Sequence, residues 1–256
     1  MLKKAKTLTK ILIALLFSLI SFCSFSAIDK RHINIAAASD MKFALETLVK
    51  TYKESDSNIE IGITAGSSGK FYEQISSGAP FDLFFSADIE FPQKLKEKGF
   101  GNEIILYGSG QLVIWSMRNK ITSINDLTKS EIKKISIANP RHAPYGVRTI
   151  EALQKSGIYE SIKDKLVFGE NVSQAAQFIE TGAADIGIIA LSIVLAPNFQ
   201  GKGNYQIVPA HLYTPLTQGM IVINNKNSLA TDFFKFMQTP KAKSILKQHG
   251  FFSGNN

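Results

Sequence analysis

Short apolar runs alternate with amphipathic helical patterns along almost the whole chain, and this alternation is what most restricts the fold. Residues 33–37 read as a buried strand, and a helix is predicted over residues 41–53. In that helix Met41, Ala44, Leu45, Leu48, Val49 and Tyr52 recur at helical spacing, while Glu46, Lys50 and Lys53 fall outside the stripe. The same alternation predicts strands at 59–64, 82–86, 112–116, 135–138, 166–168 and 186–189. Helices are predicted over 70–77, 147–156 and 173–181, with a last stretch over 230–249 that Pro240 can break. Repeated strand–helix units imply an α/β fold with parallel sheets covered by helices on both faces. Two β-prone segments, 111–116 and 219–223, are candidates for paired crossings between two lobes.

Residues 1–26 stand apart from this pattern. Lys3, Lys4, Lys6 and Lys10 precede an apolar run over 11–25, and Ser24 and Ser26 occupy the −3 and −1 positions of a cleavage before Ala27. That is the layout of a secretory signal peptide. The run is shorter than the roughly 18–20 residues that span a bilayer. A retained anchor or a lipid on Cys23 are the other readings, and Phe22 is bulky for lipoprotein processing. Loss of the leader removes four of 29 basic residues and none of 21 acids, leaving 25 against 21, a balance of +4 rather than +8. The remainder has no dense Lys/Arg block, so no nucleic-acid partner is expected. Cys23 is the only cysteine, which excludes a disulfide framework and a thiolate metal site from the mature chain.

The chemistry is carried by what stands at the strand ends. The first strand leads through Ala38-Ser39-Asp40 into a helix, and the second through Gly66-Ser67-Ser68-Gly69. Two later strands lead through Asn139-Pro140-Arg141-His142-Ala143-Pro144-Tyr145-Gly146 and through Glu170-Asn171-Val172-Ser173. First-turn N–H groups lack intrahelical partners and carry the positive end of the helix dipole, which suits an anion. Ligands of open α/β sheets bind at the carboxyl ends of strands. Ser39, Ser67 and Ser173 can also serve as ordinary helix caps, and composition leaves that reading open.

Catalytic readings find little support. Gly66-Ser67-Ser68-Gly69 is not a G-x-S-x-G elbow, and His142, the one histidine in these loops, has no acid partner visible in the sequence. Gly69-Lys70-Phe71 lacks the Ser/Thr of a phosphate loop, and no glycine stands five residues before Gly69. His32, His142, His211 and His249 lack metal-ligand spacing. The expectation is a binding protein, not an enzyme, with no cofactor.

The ordered set of motifs resembles the periplasmic molybdate-binding proteins of ABC importers. The resemblance is carried by Ala36-Ala37-Ala38-Ser39, by Gly66-Ser67-Ser68-Gly69 and by Gly78-Ala79-Pro80-Phe81-Asp82-Leu83-Phe84-Phe85-Ser86-Ala87-Asp88. The Asn139 to Gly146 loop, Glu170-Asn171-Val172 and Gly250-Phe251 continue it, so that it covers residues 33–251.

The resemblance implies a two-lobed periplasmic-binding-protein fold of type II, with the ligand in a cleft. Lobe 1 would be discontinuous, over residues 27–110 and 218–256, and lobe 2 would cover 111–217. It implies molybdate or tungstate held by neutral donors: the hydroxyl and amide of Ser39 and Ser68, and the amides of Tyr145 and Val172. It also implies a periplasmic monomer that delivers its ligand to a membrane permease. Sulfate or phosphate is the alternative ligand. Some relatives add a tyrosine hydroxyl where this chain has Ala190, and the Tyr145 hydroxyl is a candidate replacement. A cavity without acceptors would disfavour a protonated anion. Asp40 is accordingly expected to point outward at its helix start, Asp82 and Asp88 to be structural, and Lys70 and Arg141 to be solvated.

Overall fold

The computed structural model describes residues 31–56, 58–118 and 120–252; the signal peptide expected over 1–26, Cys23 included, lies outside them. The first half of the chain forms β1 (Arg31–Ala38), α1 (Lys42–Lys53), β2 (Ile59–Gly66), α2 (Ser68–Ser76), β3 (Leu83–Ser86), α3 (Glu90–Glu97), β4 (Ile104–Gly110) and β5 (Leu112–Ser116). There follow β6 (Ile135–Ala138), α4 (Pro144–Lys155), α5 (Tyr159–Ile162), β7 (Leu166–Gly169), α6 (Val172–Glu180), β8 (Ile186–Ala190) and α7 (Leu191–Val194). The chain ends with β9 (Asn204–Ile207), β10 (Leu216–Val222), α8 (Ser228–Phe236) and α9 (Pro240–Gln248).

The strands form two sheets, in the orders β2-β1-β3-β10-β4 and β7-β6-β8-β5-β9. In the first, β1 is buried on both faces, and its side chains alternate between two helical layers. Ile33, Ile35 and Ala37 pack with Leu45 and Leu48 of α1, Phe233 of α8 and Leu246 of α9. Ala36 faces Phe71 and Ile75 of α2 and Leu95 of α3. Full burial of a side chain such as Phe233 contributes roughly 1.5–3 kcal/mol. The second sheet is covered by α4, through Ala152 and Leu153, and by α6, through Ala175, Ala176 and Ile179. Ala38 and Ala87, at strand ends of the first sheet, belong to this second core, so the two lobes meet.

Two expectations need correction. The sheets are mixed: β10 runs antiparallel to β3 and β4, and β5 antiparallel to β8 and β9. Residues 111–116 and 219–223 are not connecting ribbons, since β5 lies inside the second sheet and β10 inside the first. The chain passes between sheets at Gly110-Gln111 and again between β9 and β10. The break anticipated at Pro240 is present: residues 230–249 lie in two helices, with Thr239 Oγ1 accepting the Ala242 amide at 3.3 Å to restart the second.

The parallel pairs decide where function can sit. Ala38 pairs with Gly66 and Ala37 with Phe85, which aligns the carboxyl ends of β1, β2 and β3. Ala138 pairs with Gly169, and Ile137 with Ile188, which does the same for β6, β7 and β8.

Candidate functional site

These two sets of strand ends surround one small, nearly closed space. Its walls include Ser39, Ser67, Ser68 and Ala87 from the first lobe and Tyr145, Asn171 and Val172 from the second. Ser39, Ser68, Tyr145 and Val172 are each at most 3% exposed. A wider groove of about 480 Å³ lies on the first lobe against β4, α9 and the turn that precedes it, away from the aligned strand ends.

The hydroxyl groups are oriented by backbone amides. Ala87 N–H donates to Ser68 Oγ at 3.0 Å, and Ser173 N–H donates to Ser39 Oγ at 3.3 Å. Each serine thereby accepts from the main chain and keeps its own proton for another acceptor. Ser67 Oγ is buried without a partner. None of the three hydroxyls expected to cap helices does so: Ser67 holds the cap position of α2 without a side-chain bond, and α6 is capped by Asn171. Asn171 Oδ1 accepts the Ser173 and Gln174 amides at 3.0 and 3.1 Å, which leaves the Val172 amide at the helix mouth. In α4, Pro144 takes the first position, so Tyr145 supplies the first free N–H.

The lobes are held together around this space. Ser173 Oγ donates to the Ser39 carbonyl at 3.0 Å, and Ser192 Oγ to the Asp40 carbonyl at 2.9 Å. Gly69 N–H donates to the His142 carbonyl at 2.9 Å, and a Cβ at Gly69 would lie 2.7 Å from that oxygen. Arg148 bridges to Asp88 at 3.1 Å, and Asp88 also accepts the Glu90 amide at 2.9 Å. Lys70 is exposed at the surface, as expected, and pairs with Glu170 across the rim. Glu170 is also the acid partner of His142, at 3.2 Å, that the sequence did not reveal.

Asp40 overturns its expectation. It is 1% exposed and points inward, lining the space it was expected to avoid. Gln218 Nε2 donates to its Oδ2 at 2.7 Å, while Oδ1 is buried without a geometric partner. Burial pushes its carboxyl up to about 6, opposed by hydrogen bonds from Gln218 and Tyr145. The Tyr145 hydroxyl belongs to this network, 3.2 Å from Gln218 Nε2, so it faces Asp40 and the lobe crossing. Burial holds its own ionisation well above the ordinary range. Tyr107 completes the cluster, donating from its hydroxyl towards Gln218 Oε1 at 2.8 Å and the Ser86 carbonyl at 3.0 Å. Asp82 is structural as expected, accepting the Asn34 amide at 2.7 Å and the Asn224 side chain at 2.9 Å.

No lysine or arginine lines the space. Among the described residues, no cluster of three or more His, Cys, Asp or Glu could hold a metal ion, and no helix is long and apolar enough to cross a membrane. The arrangement can therefore solvate a small anion with N–H and O–H dipoles from both lobes.

Known proteins with this layout point the same way. The chain is 36% identical over 191 residues to the molybdate-binding protein of Rhodobacter capsulatus, covering 73% of this chain and 75% of that one. It is 32% identical to the molybdate-binding protein of Azotobacter vinelandii over 251 residues, covering 96% and 98%. The solved structure of the Azotobacter vinelandii periplasmic molybdate-binding protein superposes with a TM-score of 0.82 at 29% identity, covering 87% of this chain and all of that one. Residues 33–252 match the bacterial extracellular solute-binding protein family, and to that family the chain belongs.

Proposed function

We propose that the chain captures a tetrahedral oxyanion, molybdate or tungstate, in the periplasm and delivers it as a monomer to the membrane permease of an ABC importer. Ser39 and Ser68 supply hydroxyl and amide donors from lobe 1, and Tyr145 and Val172 supply amides from lobe 2. Lobe 1 comprises residues 27–110 and 218–256, and lobe 2 residues 111–217. Leu216 and Thr217 already pair with β4, so the return into lobe 1 begins two residues earlier than that boundary.

One observation carries the reading: each serine hydroxyl accepts one backbone amide and keeps its own proton to donate, opposite two helix mouths and with no lysine or arginine lining the space among the described residues. Amides and hydroxyls aimed at four oxygens select by size and charge, whereas a fixed arginine would attract anions of many shapes. Six such donors at roughly 1.5–3 kcal/mol each give about 9–18 kcal/mol gross. Nanomolar binding corresponds to about −12 kcal/mol, so the set is sufficient after desolvation and closure costs.

A second reading, hydrogen phosphate, is favoured by Asp40, whose free Oδ1 can accept a proton-bearing oxygen. Titration with molybdate, tungstate, sulfate and phosphate separates the readings, with Trp115 as the reporter. Trp115 packs edge-on against Phe199 at 5.6 Å, and Phe199 meets Phe43 of the other lobe at 6.1 Å, so lobe motion reaches the indole. Saturation by molybdate or tungstate at concentrations where sulfate and phosphate give no response is expected. A response to phosphate or sulfate alone would replace the first reading.

A further inference from the structure

A carboxylate buried beside an anion site is the least expected feature of this molecule. Asp40 follows the site residue Ser39, is 1% exposed, and shares the walls of the same space. Gln218 occupies its Oδ2, and Oδ1 is sealed from solvent with no partner at hydrogen-bond geometry, the Tyr145 hydroxyl being the nearest donor to the carboxyl. Among the described residues no lysine or arginine compensates it. The groups packed against the carboxyl are Gln218 from β10, the neutral hydroxyls of Tyr145 from α4 and Tyr107 from β4, and the backbone amides of Asp40 and Met41 at its own helix start, which favour its charged form less than burial opposes it. Tyr213 lies beyond Tyr145, and Ser192 of α7 touches only the Asp40 carbonyl. Arg148 of α4 is engaged by Asp88 and Glu151.

An ionised Asp40 next to a dianion would place three negative charges in one dry cleft. A protonated Asp40 removes one of those charges and turns the orphan oxygen from an acceptor into a donor. We propose, on the basis of the oxyanion reading above, that Asp40 takes part in capture as a neutral carboxylic acid, its Oδ1–H donating to an oxygen of the ligand. Each dianion bound by the ionised free protein then takes up one proton from solvent, so the cleft gains one net negative charge rather than two. The ordinary carboxylate range would make that proton costly at neutral pH. Burial between the two lobes moves the carboxyl up to about 6, so much of that cost is offset by the cleft itself.

The sign of the linkage follows. Below about pH 6 Asp40 already carries its proton and affinity is flat. Above it the proton must be taken up on binding, and affinity falls about tenfold per pH unit until the higher pKa of the bound form is reached. Asp40→Asn keeps Gln218 bonded through the amide oxygen and offers a permanent N–H in place of the acid proton.

The test is a molybdate titration of the intact mature protein between about pH 6 and 8.5, with calorimetry in buffers of different ionisation enthalpy. The expected result is uptake of close to one proton above pH 7, a falling affinity in the wild type, and an affinity independent of pH in Asp40→Asn. The variant should therefore bind more tightly than the wild type at the alkaline end. Zero proton uptake with intact molybdate binding overturns the proposal and leaves the oxyanion reading standing. So does an unchanged pH slope in Asp40→Asn, which would assign the slope to another group. Absence of saturable binding of molybdate and tungstate at every pH removes the oxyanion reading itself. Calorimetry on the wild type decides the matter even if the variant does not fold.

Discussion

Ser173 grips Ser39 twice across the cleft: its amide donates to Ser39 Oγ at 3.3 Å and its hydroxyl to the Ser39 carbonyl at 3.0 Å. Only the second of these bonds depends on the Ser173 side chain, and it exists only when the lobes are together. Ser173→Ala should therefore leave each lobe folded and cost the closed form about 0.5–1.5 kcal/mol. The expected outcome is an oxyanion affinity roughly two- to tenfold weaker with an unchanged melting temperature of the free protein. Parallel titration and thermal melts check it; a drop in melting temperature of the size of the affinity loss would contradict it.

Ser68→Ala should have a larger effect. The variant removes a donor to a charged ligand, and a hydrogen bond of that kind contributes roughly 1.5–3 kcal/mol, or about ten- to 150-fold in affinity. It also deprives the Ala87 amide of its acceptor. Ser67→Ala tests the neighbouring hydroxyl, which is buried and unpartnered. Its removal should raise the stability of the free protein by up to about 1 kcal/mol while weakening oxyanion binding. Equal affinities for Ser67→Ala and the wild type would show that this hydroxyl makes no contact with the ligand.

The fold was legible because β1, β2 and β6 are apolar runs that end in small residues and lead directly into helices. What the sequence did not disclose was of two kinds. Elements without contrast were missed: β9 is exposed at all four positions, so it shows no alternation, and β4 carries two glycines in seven residues. Long-range pairing was also out of reach. The Gln218 that holds Asp40 lies 178 residues away, and nothing local to Ala38-Ser39-Asp40 distinguishes a carboxyl turned inward from one turned to solvent. His142 was read without an acid partner for a related reason, since β6 and β7 must pair before Glu170 comes near it.

Gly69 offers a way to separate closure from ligand contact. Its φ is unremarkable, so an alanine would not strain α2 itself, but the new Cβ would lie 2.7 Å from the His142 carbonyl and 3.0 Å from its Cα. Both atoms are backbone of the other lobe and cannot rotate away. Gly69→Ala should fold normally and resist closure, at a cost of about 1–3 kcal/mol as for other overpacked contacts. Affinity should fall roughly five- to 150-fold with no donor removed. Small-angle scattering with saturating oxyanion provides the check: a radius of gyration that contracts as in the wild type would show that the lobes accommodate the methyl group.

Asp126 predicts where acid stability is lost, away from the cleft. Its carboxylate holds a short helical turn by accepting the Thr122 amide at 2.6 Å, the Thr122 hydroxyl at 3.0 Å and the Ser123 amide at 3.1 Å, with Lys129 at 2.7 Å. Lys129 and these donors hold its pKa well below the usual carboxylate range, against a smaller effect of burial. A depressed folded pKa contributes stability that is fully present above the unfolded value, near 4, and is lost as pH falls through the folded value. Asp126→Ala should therefore cost about 1–2 kcal/mol at neutral pH, in line with other lost caps. The gap between variant and wild type should narrow only below about pH 4, because the folded carboxyl holds its charge to lower pH than the unfolded one. Denaturant unfolding at pH 7, 5 and 3 measures this. A gap that closes already between pH 7 and pH 5 would show that Asp126 is not the group being titrated.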